Sequence, residues 1–138
     1  MKNNIIRQAR YIPVGYTPFV INFYFYIGLI AALLLRATLL AGFFSTNIAK
    51  LCWYFGIIGY MLFFMHRNRI AQRRSDVIKN LNLLNKIKSG KPLHKVDYEG
   101  LYYVLWSLSV SKERLNYLFI QIFSLIAVII ALIMDIYN

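Results

Sequence analysis

Sulfur, carboxylate and imidazole are all scarce in this sequence. Its 138 residues hold one cysteine, Cys52, two histidines, His66 and His94, and five acids, Asp76, Asp97, Glu99, Glu113 and Asp135. One thiol excludes an internal disulfide framework and a Cys-based zinc or iron–sulfur centre within one chain. Two histidines exclude a His-rich metal centre. No Walker A loop, GxSxG elbow, HExxH helix or CxxCH haem motif occurs. The sequence is therefore expected to be no enzyme, with no metal and no cofactor of its own.

Charge is thin as well. Only 15% of residues are charged and 59% are hydrophobic, where a water-soluble domain carries about 25% and 45–50%. Both departures point away from a soluble fold, and the high hydrophobicity excludes disorder. What charge there is leans to one sign, 16 Lys and Arg against 5 acids, with a formal net of +11.

The apolar residues fall into three stretches. Leu115 to Met134 is 20 residues without a formal charge, about 30 Å of helix and the thickness of a hydrocarbon core. Ser111 is placed to cap this helix, with Glu113 in its first turn where the helix dipole favours an acid. A second span runs from about Ile48 to Met65; its uncharged stretch, Leu51 to His66, is shorter, and Lys50 and Arg67 flank it and can snorkel. The first is broken at its front by Pro13, Gly15 and Pro18, and Thr17-Pro18 reads as a cap followed by proline at the first helical position. A basic front followed by so long an apolar run reads as a retained span rather than a leader.

These features predict an all-α integral membrane protein. Residues 1–17 form an N-terminal segment, 18–44, 47–66 and 114–137 the three transmembrane helices, and 67–113 a basic segment between the second and third. Residues 1–17 hold three Lys/Arg and residues 66–114 eleven, with none beyond Arg114. The positive-inside rule then places the N-terminus and the basic segment in the cytoplasm and the C-terminus outside, in a multi-pass protein of the cell (inner) membrane.

In lipid, small and polar residues mark helix-packing faces. Gly28 and Ala32 form such a pair on the first span, and Ala49, Cys52, Gly56 and Gly59 a stripe on the second. On the third, Tyr117, Gln121, Ser124, Ala127, Ala131 and Asp135 share one sector. Gln121, about two turns inside the membrane, needs a hydrogen-bond partner: either another helix or a wet path. Arg36, near the far face, either snorkels to the headgroups or meets a lipid phosphate, a substrate or another subunit.

Within the basic segment, residues 66–89 read as a continuation of the second helix, with Ile70, Val77, Leu81, Leu84 and Ile87 on one side. Arg67, Arg69, Arg73 and Arg74, together with Arg36, are candidates for contact with anionic headgroups or a partner. Lys79 and Lys86 lie away from the apolar side. Ser89-Gly90-Lys91-Pro92 reads as a turn. No aromatic residue occurs from Arg67 to Lys91, so the charge does not read as a nucleic-acid surface. His94, Asp97 and Glu99 read as a solvated loop. Residues 98–110 are apolar and aromatic, too short to span, and suit an interfacial helix, a re-entrant segment or a docking surface.

The leading expectation is a non-catalytic accessory or scaffolding subunit of a larger membrane complex, partnered by lipids and by other membrane subunits or copies of itself. A homo-oligomeric pore or membrane effector is the first alternative. The second is a membrane-embedded subunit that binds a quinone, lipid or haem through His66 or Arg36.

Overall fold

A computed structural model describes residues 12–137. Among them the chain is all-helical, with no strand. Five helices follow one another: α1 (Pro18–Ala41), α2 (Thr46–Asn80), α3 (Leu83–Lys88), α4 (Lys95–Ser109) and α5 (Glu113–Tyr137). Three of them, α1, α2 and α5, are long and apolar enough to cross a membrane. The expected features of residues 1–11 lie outside the described residues.

The helix ends follow from local chemistry. α1 opens on Pro18, whose missing N–H costs nothing at a first helical position. It closes at Ala41, three residues before the expected end at residue 44, because the chain reverses there. Amides of Gly42, Phe43, Phe44 and Ser45 take the carbonyls of Thr38, Leu40 and Ala41 at 2.8–3.2 Å, leaving none of these orphaned. α2 then runs unbroken for 35 residues, roughly 50 Å, well beyond the thickness of a hydrocarbon core.

The expected continuation to residue 89 stops at Asn80. Asn82 adopts φ 51° and ψ 37°, the left-handed conformation that asparagine accepts more readily than most residues. Its side chain also accepts a hydrogen bond from Asn85 Nδ2 at 2.8 Å. α3 follows and ends in a Schellman motif: Gly90 at φ +65°, with the Lys91 amide on Lys86 O and the Gly90 amide on Ile87 O. The turn expected at Ser89–Pro92 is thus present.

The described chain forms two compact units. The basic unit comprises residues 12–17 and Arg67–Ser111. Its core is Val77, Leu81, Leu83, Val96, Tyr103 and Val104. α4 comes close enough to the end of α2 that a Cβ on Gly100 would sit 3.2 Å from Val77 Cγ1 and 2.3 Å from Cδ1 of Leu81, which follows the helix. The break at Asn82 resets the helical phase. Of the residues expected on one side, Val77 and Leu81 are buried, while Leu84 and Ile87 are 72% and 53% exposed and Leu83 turns inward instead.

The apolar unit comprises Pro18–His66 and the chain from Lys112 onward. Small residues let α1 and α2 approach: Gly59 lies on Ala31, Gly56 on Leu35 and Gly28 on Phe63. Along α1 these contacts ascend while along α2 they descend, so the pair is antiparallel. α5 packs on α1 and runs parallel to it, as bonds from Lys112 to Asn22 and from Arg36 to Ser124 show.

Candidate functional site

Arg36 is the polar centre of the apolar unit. Rather than extending away, its guanidinium turns among the three helices. Nε donates to Ser124 Oγ on α5 at 2.9 Å, and Nη1 to Tyr60 Oη on α2 at 3.4 Å and to Ala32 O at 3.2 Å. All three acceptors are neutral, and among the described residues no carboxylate pairs with it. A guanidinium offers five N–H donors and stays protonated in proteins. The cluster therefore holds a permanent positive charge against two neighbouring helices.

A second polar group lies toward the start of α1. Lys112 donates to Asn22 Oδ1 and sits 5.3 Å from the Phe25 ring centroid. His66 is buried and stacks on Tyr24, with ring centroids 3.7 Å apart and planes 4° from parallel. Asn116 is 1% exposed, and neither atom of its side-chain amide hydrogen-bonds within the chain. Its Nδ2 lies 2.8 Å from where a Cβ on Gly28 would stand, which leaves no room there for a larger residue.

The candidate packing residues divide. Gly28 and Ala32 on α1, Gly56 on α2 and Ala127 on α5 are buried, while Gly59, Cys52, Ser124 and Ala131 are half-buried. Gln121 does not share their side. It is exposed, flanked by the exposed Leu118 and Leu125. Ser124 points inward to Arg36 and donates to Ile120 O at 2.7 Å. The two residues are 60° apart around a helix, and α1 takes only one of them. The residues expected on a single sector of α5 thus divide, Ser124 toward α1 and Gln121 away from it.

The basic unit is held by polar interlocks that its sequence conceals. Asp97, expected in a solvated loop, is 1% exposed. One oxygen receives Lys86 Nζ at 2.7 Å and the other the backbone N–H of His94 at 2.9 Å, so the acid caps α4 and ties it to α3. Burial raises the carboxyl's pKa. The Lys86 hydrogen bond, the His94 amide and the charges of Lys86 and His94 outweigh it, and the net shift is below the ordinary value. Burial pushes the Tyr103 phenol up, against the opposing charges of Arg73 and Arg74.

Three of the four candidate arginines face inward partners. Arg74 donates from Nε to Ser107 Oγ and from Nη2 to Ser107 O, each at 2.8 Å. Arg73 stands over the Tyr16 ring at 4.7 Å, and Arg67 reaches Ser111 Oγ at 3.3 Å. Arg69 is exposed. Ser111, expected as a cap, thus accepts from Arg67, while α5 begins at Glu113.

Residues 98–110 lie almost wholly within α4. One face, with Gly100, Tyr103, Val104 and Ser107, is buried, and the other presents Tyr98, Tyr102, Leu105 and Leu108. With residues 12–16, α4 borders a shallow groove of about 590 Å³, walled chiefly by Tyr16, Tyr98, Tyr102 and Trp106. Among the described residues, no three His, Cys, Asp or Glu side chains converge to hold a metal ion. Comparison with known protein families, with curated proteins and with solved structures finds no match.

Tyr60, Ser107, Asn116 and the Lys86–Asp97 pair escape sequence reasoning.

Proposed function

We propose that this protein is a three-span integral membrane protein of the cell (inner) membrane, with its N-terminus and basic unit cytoplasmic. In this reading it serves as a non-catalytic accessory or scaffolding subunit of a larger complex. The observation that carries the proposal is how little of its apolar helices the chain covers. In no candidate span is more than 17% of the apolar window buried. Exposed apolar patches beyond what a lone soluble chain tolerates mark lipid or protein contact. The alternating directions of α1, α2 and α5 support three successive crossings, and the lysines and arginines of residues 66–114 support the orientation. The exposed Tyr98, Tyr102, Leu105 and Leu108 give the basic unit an apolar face of its own, suited to headgroup depth or to a partner. Purification from native membranes in a mild detergent, followed by native mass spectrometry, tests the reading. Other membrane proteins should co-purify in fixed stoichiometry; their absence overturns it.

A further inference from the structure

Gln121 is the misfit on the outer surface of α5. It stands eight residues past Glu113, about 12 Å along the helix, on a surface that over residues 118–133 is otherwise built from leucine, isoleucine and valine. Acyl chains offer its amide no hydrogen bond, and an unpaired amide in hydrocarbon costs free energy that a protein partner removes. Among the described residues no group hydrogen-bonds its side-chain amide, and α1 packs on the Ser124 side of the helix.

The neighbours of Gln121 form a pattern. Leu118, Gln121, Leu125, Val128 and Leu132 recur at spacings of three and four, two heptads of a coiled-coil seam. The four apolar members are 49–64% exposed, so the seam faces outward along its length. A polar residue at one core position of such a seam fixes its register.

We propose that this seam binds a second copy of the same chain, α5 against α5 in parallel, with the two Gln121 amides exchanging hydrogen bonds. The amide chemistry selects the occupant. A carboxamide is donor and acceptor at once, so two of them at equal depth satisfy each other across a two-fold axis. Copies inserted with their basic segments on one side bring Gln121 to the same depth in each. The inference rests on the membrane reading above and deepens it by naming one partner and its surface.

The test uses the full chain in liposomes, with Cys52→Ser as background and single cysteines at Leu118, Leu125 or Ile126. Leu125 and Ile126 share a depth and are both exposed, but they point 100° apart. Oxidative cross-linking should join copies through Leu118→Cys and Leu125→Cys and far less through Ile126→Cys. Gln121→Leu should weaken self-association, followed by energy transfer between labelled copies on lipid dilution, by about 3- to 30-fold, and Gln121→Asn should restore part of it. Equal cross-linking at Leu125→Cys and Ile126→Cys, or self-association unchanged in Gln121→Leu, overturns the proposal. Gln121-dependent capture of a different protein with no self-cross-link overturns this inference and leaves the accessory role standing. Self-association with no other protein in native extracts supports the inference and overturns that role.

Discussion

The two units of this chain solve the same packing problem with different materials. The basic unit buries branched side chains, Val77, Leu81, Leu83 and Val104, and locks them with charge: Lys86 on Asp97 and Arg74 on Ser107. The apolar unit buries one large apolar side chain, Phe63, among its described residues. Its contacts are made where side chains are missing, at Gly28, Ala31, Ala32, Gly56 and Gly59. On the membrane reading proposed above, water supplies a hydrophobic driving force for the first and lipid little for the second, where close backbone approach and interhelical hydrogen bonds serve instead. The same amino-acid chemistry thus has different worth in the two units.

Truncating the core of the basic unit should give the largest effect. Leu81 is 1% exposed and touches the Gly100 face of α4. Leu81→Ala should destabilise this unit by about 2–5 kcal/mol. Hydrogen exchange should show it as lost protection in α4 with α1 and α5 unaffected; equal loss in both units would mean that they do not respond separately.

Breaking the buried charge should cost less. Asp97→Asn leaves the cap acceptor but removes the charged bond to Lys86, for an expected loss of about 1.5–3 kcal/mol. Because the folded carboxyl titrates below its unfolded value, its contribution is full above the ordinary Asp pKa of about 3.9. It fades as pH falls from there through the lower folded value, since the unfolded chain binds the proton first. Protection of α4 should therefore decline over that acid range in the parent and decline less steeply in Asp97→Asn. Identical acid profiles would remove Asp97 from this role.

The smallest effect belongs to the polar bond in the apolar unit. Ser124→Ala deprives Arg36 Nε of its acceptor, and bonds of this type between membrane helices average about 0.6 kcal/mol and reach about 1.7. Reversible unfolding in mixed micelles should show a loss in that range, confined to α1 and α5. A loss of several kcal/mol would make the Arg36 cluster the main lock of the unit and erase the contrast drawn above.

Helix existence was legible because length, composition and the Thr17-Pro18 and Ser89–Pro92 punctuation are local. What faced what was less so. Gln121 and Ser124 lie close on a helical wheel, and only the arrival of α1 decides which goes inside. Leu84 and Ile87 fit the periodicity of an unbroken helix, and the left-handed Asn82 defeats it by shifting phase. Arg36 obeys neither expectation taken alone: its position suits snorkelling, but Ser124 and Tyr60, contributed by helices distant in sequence, draw it inward. Asp97 hid because a lone acid near a Gly-Lys-Pro turn looks solvated until Lys86 is brought beside it.

The Arg36 cluster has an electrical consequence. On the membrane reading proposed above, its guanidinium is a charge on which a transmembrane potential acts. Carrying one such charge across the full field changes the energy by about 2.3 kcal/mol per 100 mV. Since Ser124 and Tyr60 moor that charge to two other helices, in that reading a force on it would be shared by the three helices rather than borne by α1 alone.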